Sequence, residues 1–378
     1  MATHQIRYAG DSDRKLWDGY VQNHPAASLY HLFGWRDVIQ KSYGHQTYYV
    51  MAIRSHVHGA AEQGVKPGSW SGNVVGILPL AHLKHRIFGN CLVSLPFLDS
   101  GGILADDREA EESIFSEAIR LGRELGVSTI ELRQEQSLAT CNGSAASWIE
   151  DTCGPLNVAA RSDKVRMLLK LPESSDALLK SFPSKLRNQV RKPLKEGFVT
   201  SLGSLELLEN FYKVFVVNMR DLGSPAHSRE FMRSVLTAFG EHARIVLVSR
   251  SKEPMAAALV VGVGNVLRNP WAASIRKYAS LGPNMLLYLR MLEYACESGY
   301  RAFDFGRATK GEGTYRFKEQ WGAVPVPLYW YLISLNGKPI DPKKSGAERF
   351  RWAAYCWRQL PLEVTKILGP RIRKHISL

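Results

Sequence analysis

The chain has 378 residues, enough for two or three globular units at roughly 100–200 residues each. Its 45% hydrophobic and 22% charged content excludes a disordered chain, and 31 glycines with 18 prolines exclude collagen-like or low-complexity structure. Forty-nine Lys and Arg against 35 acids leave a net charge of +14, which favours an anionic partner such as nucleic acid, a phosphorylated substrate or an acidic membrane surface.

In chain order, the pattern predicts helices at Asp11–Asn23 and near Phe33–Tyr43, a strand at Thr47–Arg54, and a Gly- and Ser-rich loop from His56 to Asn73. Strands at 74–84 and 92–98 follow, then turn chemistry at Asp99–Gly102. A helix at 108–125 ends at Gly126, before a strand at 128–133. The polar stretch 134–160 reads as a boundary. The second half repeats the theme: a strand at 165–171, a basic helical region at 175–196, helices at 205–222 and 229–239, and strands at 244–250, 254–264 and 266–274. A helix at 284–298 ends at Gly299, and a strand at 301–307 follows it. This gives a first unit over 1–160, a second over 161–335 and a tail over 336–378.

One internal comparison organises the chain. Pro96-Phe97, Gly126 and Glu131 have counterparts in Pro270-Trp271, Gly299 and Asp304, offset by 174, 173 and 173 residues. A strand–loop–helix–Gly–strand unit recurring at that spacing suggests two copies of one domain. Strands met in hairpins rather than regular βαβ units favour an α+β class with mixed sheets.

The five cysteines are odd in number and scattered, without a CxxC pair, so neither a disulfide framework nor a metal site is expected. His56 and His58 have no third ligand nearby and read as a solvated loop. The N-terminus lacks the apolar core of a signal peptide, and the best apolar run, Pro254–Val263, falls far short of the ~20 residues that span a bilayer. A soluble protein of a reducing compartment is expected.

Three stretches carry candidate chemistry. In Ser184–Lys192, Arg187 and Arg191 lie one helical turn apart with Lys185 and Lys192 near their face. Paired guanidiniums there suit adjacent phosphates, and the alternative is a merely solvated basic helix. Ser280–Asn284 opens a helix whose N-terminus can receive phosphate, although Pro283 removes one donor. Finally, FDFGR (303–307) precedes a glycine-rich loop and Lys318, which is set between Phe317 and Trp321. A desolvated lysine there would stabilise a developing oxyanion or hold a phosphate; the alternative is a lysine with its head in water.

These pieces, in this order, resemble the FemAB-related transferases, and more closely the FemAB-like proteins of exosortase and exopolysaccharide systems. The likeness rests on KLRNQVRK, the Leu-Gly-Pro-Asn helix start, GYRAFDFGR and YRFKEQWG, with FGWR (33–36), NMRDLGSP (218–225) and PLYWY (327–331) in support. It implies tandem GNAT-like acyltransferase domains with mixed, largely antiparallel sheets, agreeing with the repeat. It also implies transfer of an acyl or aminoacyl group to an amine or hydroxyl of a peptidoglycan or exopolysaccharide precursor. No bound cofactor is implied; the donor is a cosubstrate, aminoacyl-tRNA or acyl-CoA. Phe317-Lys318 matches the pair that supports the acyl carbonyl, Lys185, Arg187 and Arg191 match the phosphate-contacting helix, and Glu135 matches a carboxylate after the first closing strand. Glu135 and Asp304 are the candidate proton acceptors, with an Arg307 ion pair as the alternative for Asp304. Trp35, Trp271, Asn284, Arg307, Tyr315 and Phe317, in or beside the matching motifs, are the remaining candidate substrate contacts. The chain departs from the family in having Ile39 for a lysine and Glu135-Gln136 for Asp-Pro, and in lacking a long heptad arm. The Arg/Gln-x-x-Gly-x-Gly/Ala pyrophosphate loop of acyl-CoA users is also not preserved at Lys277–Asn284.

The tail is the electrostatic outlier: residues 342–378 hold nine Lys or Arg and two acids, half of the net charge. Its cations mix with Trp352, Tyr355, Trp357, Ile367 and Ile372. Pro361 and Pro370 are expected to break it into short helices. Two readings stand: a surface for the anionic inner leaflet, which would make a cytoplasmic protein peripheral, or a helix docked on the second domain.

Overall fold

The computed structural model describes residues 4–55, 72–141, 153, 156–339 and 347–377. Fifteen strands among them are β1 (His4–Tyr8), β2 (Gln46–Ser55), β3 (Gly72–His85), β4 (Gly89–Val93), β5 (Leu104–Ala105), β6 (Thr129–Gln134), β7 (Asn157–Arg161), β8 (Lys164–Lys170), β9 (Val199–Gly203), β10 (Ala243–Arg250), β11 (Glu253–Val263), β12 (Val266–Ser274), β13 (Ala302–Thr309), β14 (Val324–Pro327) and β15 (Tyr329–Ser334). The helices of seven residues or more are α1 (Arg14–Asn23), α2 (Gly34–Tyr43), α3 (Arg108–Glu124), α4 (Ser175–Ser181), α5 (Ser184–Lys195), α6 (Leu208–Leu222), α7 (Arg229–Phe239), α8 (Pro283–Glu297), α9 (Gly313–Glu319), α10 (Ala347–Gln359) and α11 (Leu362–Arg373). The His56–His58 pair and most of the loop around it lie outside the described residues.

Two mixed sheets result. The first runs β1-β2-β3-β4-β6-β15-β7, with β5 on β3, and the second runs β14-β8-β13-β12-β11-β10-β9. All pairings are antiparallel except two, β4 with β6 and β12 with β13. Each parallel pair brackets one helix, α3 or α8, and each pairs over only three residues: Cys91–Val93 with Thr129–Glu131, and Val266–Arg268 with Ala302–Asp304. The strands then part. The repeat in the sequence is therefore a repeat of a splayed strand–helix–strand unit. Asp107 caps α3 by accepting from the Ala110 N–H, and Gly126 and Gly299 follow α3 and α8 in the left-handed conformation that glycine adopts without strain.

The units share a seam of apolar side chains. Trp35, Val38 and Phe97 of the first pack in one cluster with Phe231, Phe239 and Trp271 of the second. The second unit has its own core around α8, and the first has one beneath α3.

Besides the strands β1, β5, β7, β9 and β14, which the sequence reading does not name, the structure differs from it at five places. The strand expected at 92–98 ends at Val93, because Leu95 and Phe97 take positive φ around Pro96. The basic region 175–196 is two helices, broken at Phe182-Pro183. The expected loop after 307 contains the helix α9. β15, placed in the second unit by sequence position, is hydrogen-bonded between β6 and β7 of the first sheet. Pro370 does not break α11, because it stands in the last turn, where its missing N–H leaves one carbonyl unpaired.

The tail docks on the core. Thr365, Gly369 and Arg373 form the buried stripe of α11, and Arg373 Nε donates to His227 Nε2 at 3.1 Å. The chain end then enters the first unit's splay, where the Ser377 carbonyl accepts from the Phe97 N–H at 2.6 Å and from the Arg133 guanidinium at 3.1 Å.

Candidate active site

In the second unit the corresponding splay stays open. Beyond Arg268 and Asp304 it forms a pocket of about 630 Å³, lined by Asn218 and Asp221 of α6, Ser274 of β12, Asn284 of α8, and Phe317 and Lys318 of α9. Asn218 and Asp221 come from the NMRDLGSP motif. Phe317 packs edge-on to Tyr288, with ring centroids 4.9 Å apart, fixing α9 against α8.

Lys318 is 8% exposed. Its Nζ donates to the carbonyls of Arg307 at 2.7 Å and Gly306 at 3.0 Å, leaving one of the ammonium's three donors for the pocket. Burial pushes its pKa down to about 8; Asp99 and Asp304 oppose that shift, and Arg307 adds to it. At neutral pH it is a charged donor, mostly withdrawn from solvent.

The carbonyls that hold Lys318 belong to a bulge in β13. Pairing with β8 shifts register between Asp304 and Arg307, and Gly306 adopts φ +75°. A Cβ there would lie 3.2 Å from the Asn269 carbonyl oxygen, so glycine is required on both counts. The bulge turns two successive carbonyls toward one ammonium. Asp304 fixes it from behind by accepting from the Gly306 N–H at 2.9 Å, and Asp99 accepts from the Arg307 N–H at 3.1 Å.

Glu135 and Asp304 meet across the seam of the two units, sharing two guanidiniums. Arg166 lies 2.7 Å from Glu135 and 3.7 Å from Asp304, and Arg268 lies 3.3 Å and 2.9 Å away. Burial works to raise the Glu135 carboxyl, but Arg268, Arg166 and the Ser100 hydroxyl outweigh it and hold it below the usual range. For Asp304 burial prevails over the same arginines, and its carboxyl stands above the usual range. The Asp304–Arg307 ion pair considered from the sequence is not formed; Arg307 pairs instead with Asp99 at 3.4 Å and stacks over Trp330. Neither Glu135 nor Asp304 lines the pocket.

The other expected contacts divide. Asn284, Phe317 and Lys318 come together at the pocket. Trp35 is wholly buried, donating to the Leu29 carbonyl at 2.9 Å and packing on Phe239, so it presents no surface to a ligand. Trp271 and Tyr315 are likewise buried, in the seam and in the second core, and do not line the pocket. On α5, Lys185 and Arg191 are exposed, whereas Arg187 donates to the Phe182 carbonyl at 2.8 Å and so ties α5 to α4. The helix adjoins the pocket rim: Lys192 donates to the Ser280 carbonyl, and Pro193 packs on Gly282. Arg166, Arg268 and Asp221 were not singled out from the sequence, Asp99 was read only as turn chemistry, and Gly306 only as part of a flexible loop. The available signal was Arg166 and Arg268, each beside an apolar residue in the interior of a strand.

The start of α8 is a poor pyrophosphate cradle. Pro283 has no N–H, and the Met285 N–H is taken by the Gly282 carbonyl at 3.0 Å. Among the described residues no group of three or more His, Cys, Asp or Glu side chains is placed to hold a metal ion.

A family described as an acetyltransferase (GNAT) domain matches residues 180–319. The chain is similar in structure to FemX, with a TM-score of 0.62 at 15% identity, covering 86% of this chain and 96% of that one. It is also similar to the C-terminal DUF2156 domain of a putative lysylphosphatidylglycerol synthetase from Agrobacterium fabrum (TM-score 0.52, 10% identity, 91% and 94% covered). A tandem GNAT protein from the clavulanic acid biosynthesis pathway gives 0.51 at 12% identity, with 90% and 100% covered. No curated protein matches the chain. Likeness at these identities concerns the fold alone, and with the two splayed parallel pairs described above it gives this chain two GNAT-like folds in tandem.

Proposed function

We propose that the chain is an acyltransferase that moves an acyl or aminoacyl group to an amine or hydroxyl of a cell-envelope precursor, on the cytoplasmic side. The observation that carries this reading is the buried ammonium of Lys318 in the open splay of the second domain, with two donors tied to the β13 bulge and the third left to the pocket. In the reaction the nucleophile's nitrogen or oxygen bonds to the donor's carbonyl carbon, and the bond to the leaving oxygen or sulfur breaks. The nucleophile's proton ends on the leaving group. Negative charge gathers meanwhile on the carbonyl oxygen, where Lys318 meets it without reorganisation.

Asp304 and Glu135 act as positioning residues here. Asp304 holds the Gly306 peptide, and through it Lys318, while Glu135 balances the arginines beside it. Asp221 is the carboxylate that lines the pocket, suited to an amine of either substrate. The weak cradle at α8 favours a donor not held by its pyrophosphate, hence aminoacyl-tRNA over acyl-CoA. The exposed Lys185 and Arg191, on a helix whose C-terminal end adjoins the rim, suit the phosphates of the acceptor. The similarity to FemX and to a domain of a putative lysylphosphatidylglycerol synthetase supports an envelope acceptor.

Consumption of labelled aminoacyl-tRNA and of labelled acyl-CoA, each with a lipid-linked or glycan acceptor, tests the reading. Transfer from aminoacyl-tRNA is expected. Transfer only from acyl-CoA selects the second donor, and transfer from neither leaves an anionic-glycan scaffold and refutes the enzyme.

A further inference from the structure

The docked tail is built inside out. A helix packing on a core ordinarily turns its large apolar side chains inward. α11 instead buries Thr365, Gly369 and Arg373, one turn apart, and Gly369 allows contact so close that a Cβ would stand 3.1 Å from the Ala226 nitrogen. Leu362 and Ile372 are half-buried at its ends, but the large apolar residues of its middle face away from the core: Val364 is 36% exposed, Ile367 60% and Leu368 37%. α10 does likewise. Trp357 faces inward, while Trp352 and Tyr355, one turn apart on the far side, are 77% and 59% exposed. Both helices pack on α6, so both outer faces point away from the same support. The turn between β3 and β4 adds Ile87, 84% exposed, next to Phe88, which shares an apolar groove with Trp357 and Ile372.

Cations surround these side chains. Arg351, Arg358 and Arg371 are exposed on the two helices, as are Lys84 and Arg86 at the turn. Glu363 is the one acid among residues 351–377, and it is paired with Lys366. We propose that this face is a docking surface for an anionic lipid bilayer, lying flat in the headgroup layer with Trp352, Tyr355, Ile367 and Ile87 at the acyl boundary. Aromatic and aliphatic side chains enter that boundary while the cations meet headgroup phosphates. A second copy of the chain fits less well, because pairing the face with itself sets like charges together. Nucleic acid would gain little from Ile87, Val364 and Ile367, which neither stack on bases nor bind phosphate. No described helix is long and apolar enough to cross a membrane, so the contact is interfacial. The inference is independent of which donor the pocket takes.

The test is co-sedimentation of the full chain with vesicles of phosphatidylcholine alone or with a quarter phosphatidylglycerol, together with Trp fluorescence. Binding to the anionic vesicles at low salt, weakened by salt and accompanied by a blue shift, is expected. The double variant Trp352→Ser/Ile367→Asp, at exposed positions, should keep its Tm and its pocket and bind at least tenfold more weakly. Arg351→Gln/Arg371→Gln should lose anionic preference. The inference is overturned if the full chain ignores anionic vesicles at low salt or if the apolar variant binds them unchanged. It is equally overturned if that variant instead abolishes a dimer or tRNA binding while vesicle binding persists.

Discussion

Replacing Lys318 by Met removes a buried charge together with the proposed oxyanion donor, and the two losses can be read separately. The ammonium titrates near 8 in the folded chain against 10.5 for an ordinary lysine. Between those values the unfolded chain holds a proton that the folded chain has lost, so stability rises with pH across that window and is flat below it. The full span amounts to about 3 kcal/mol, and about 1.4 kcal/mol is gained between pH 7 and pH 9. Lys318→Met should lack this increment, so the stability difference between parent and variant should shift in the parent's favour by about 1.4 kcal/mol over those two pH units. Urea unfolding at pH 7, 8 and 9 measures it. Turnover tests the other role: the variant should lose a factor of about 100–1,000, and the parent should lose activity above pH 8 as the ammonium deprotonates. Parallel stability curves would refute the buried charge. A variant with near-parental turnover would refute the oxyanion role.

Gly306→Ala forces φ +75° on a residue with a Cβ and crowds the Asn269 carbonyl, so it should cost about 1–3 kcal/mol in urea unfolding and lower turnover by displacing the carbonyls that hold Lys318. Arg191→Gln should raise KM for a phosphate-bearing acceptor without changing Tm, while Arg187→Gln should lower stability by about 1 kcal/mol through its lost carbonyl contacts. An identical response of both variants would contradict the division of roles along α5. Deleting residues 361–378 should lower stability by at least about 3 kcal/mol, because it uncovers the surface that buries Thr365, Gly369 and Arg373, leaves the Phe97 N–H without its acceptor and takes one partner from Arg133. A truncated chain with the parent's unfolding midpoint would show that the docking is dispensable.

Much of the architecture was legible because it is written locally. Gly126 and Gly299 mark helix ends by cap chemistry, and their 173-residue offset exposes the duplication. The burial of Lys318 was legible from its aromatic neighbours. What escaped is non-local. Tyr329–Ser334 entered the sequence reading only through the PLYWY motif, and nothing in its own residues chooses the first sheet over the second. Trp35 matches a motif position, yet its burial is decided by Phe239, two hundred residues away in the chain. Asp304 and Arg307 lie on one strand and invite a local pair, but the partners that prevail, Arg268 and Asp99, arrive from other strands. The inverted tail was hidden because hydrophobic periodicity locates an apolar side without saying whether it faces the core.

The position of β15 also sets an order for synthesis. β6 leaves the ribosome with its outer edge bare, and β7 cannot take its place until β15, some 170 residues later, slips between them. The nascent first domain therefore carries an open strand edge throughout translation of the second, the condition under which foreign pairing and aggregation compete with folding. The first domain is therefore not a self-sufficient module: a cut between the two would strand its sheet without its penultimate strand.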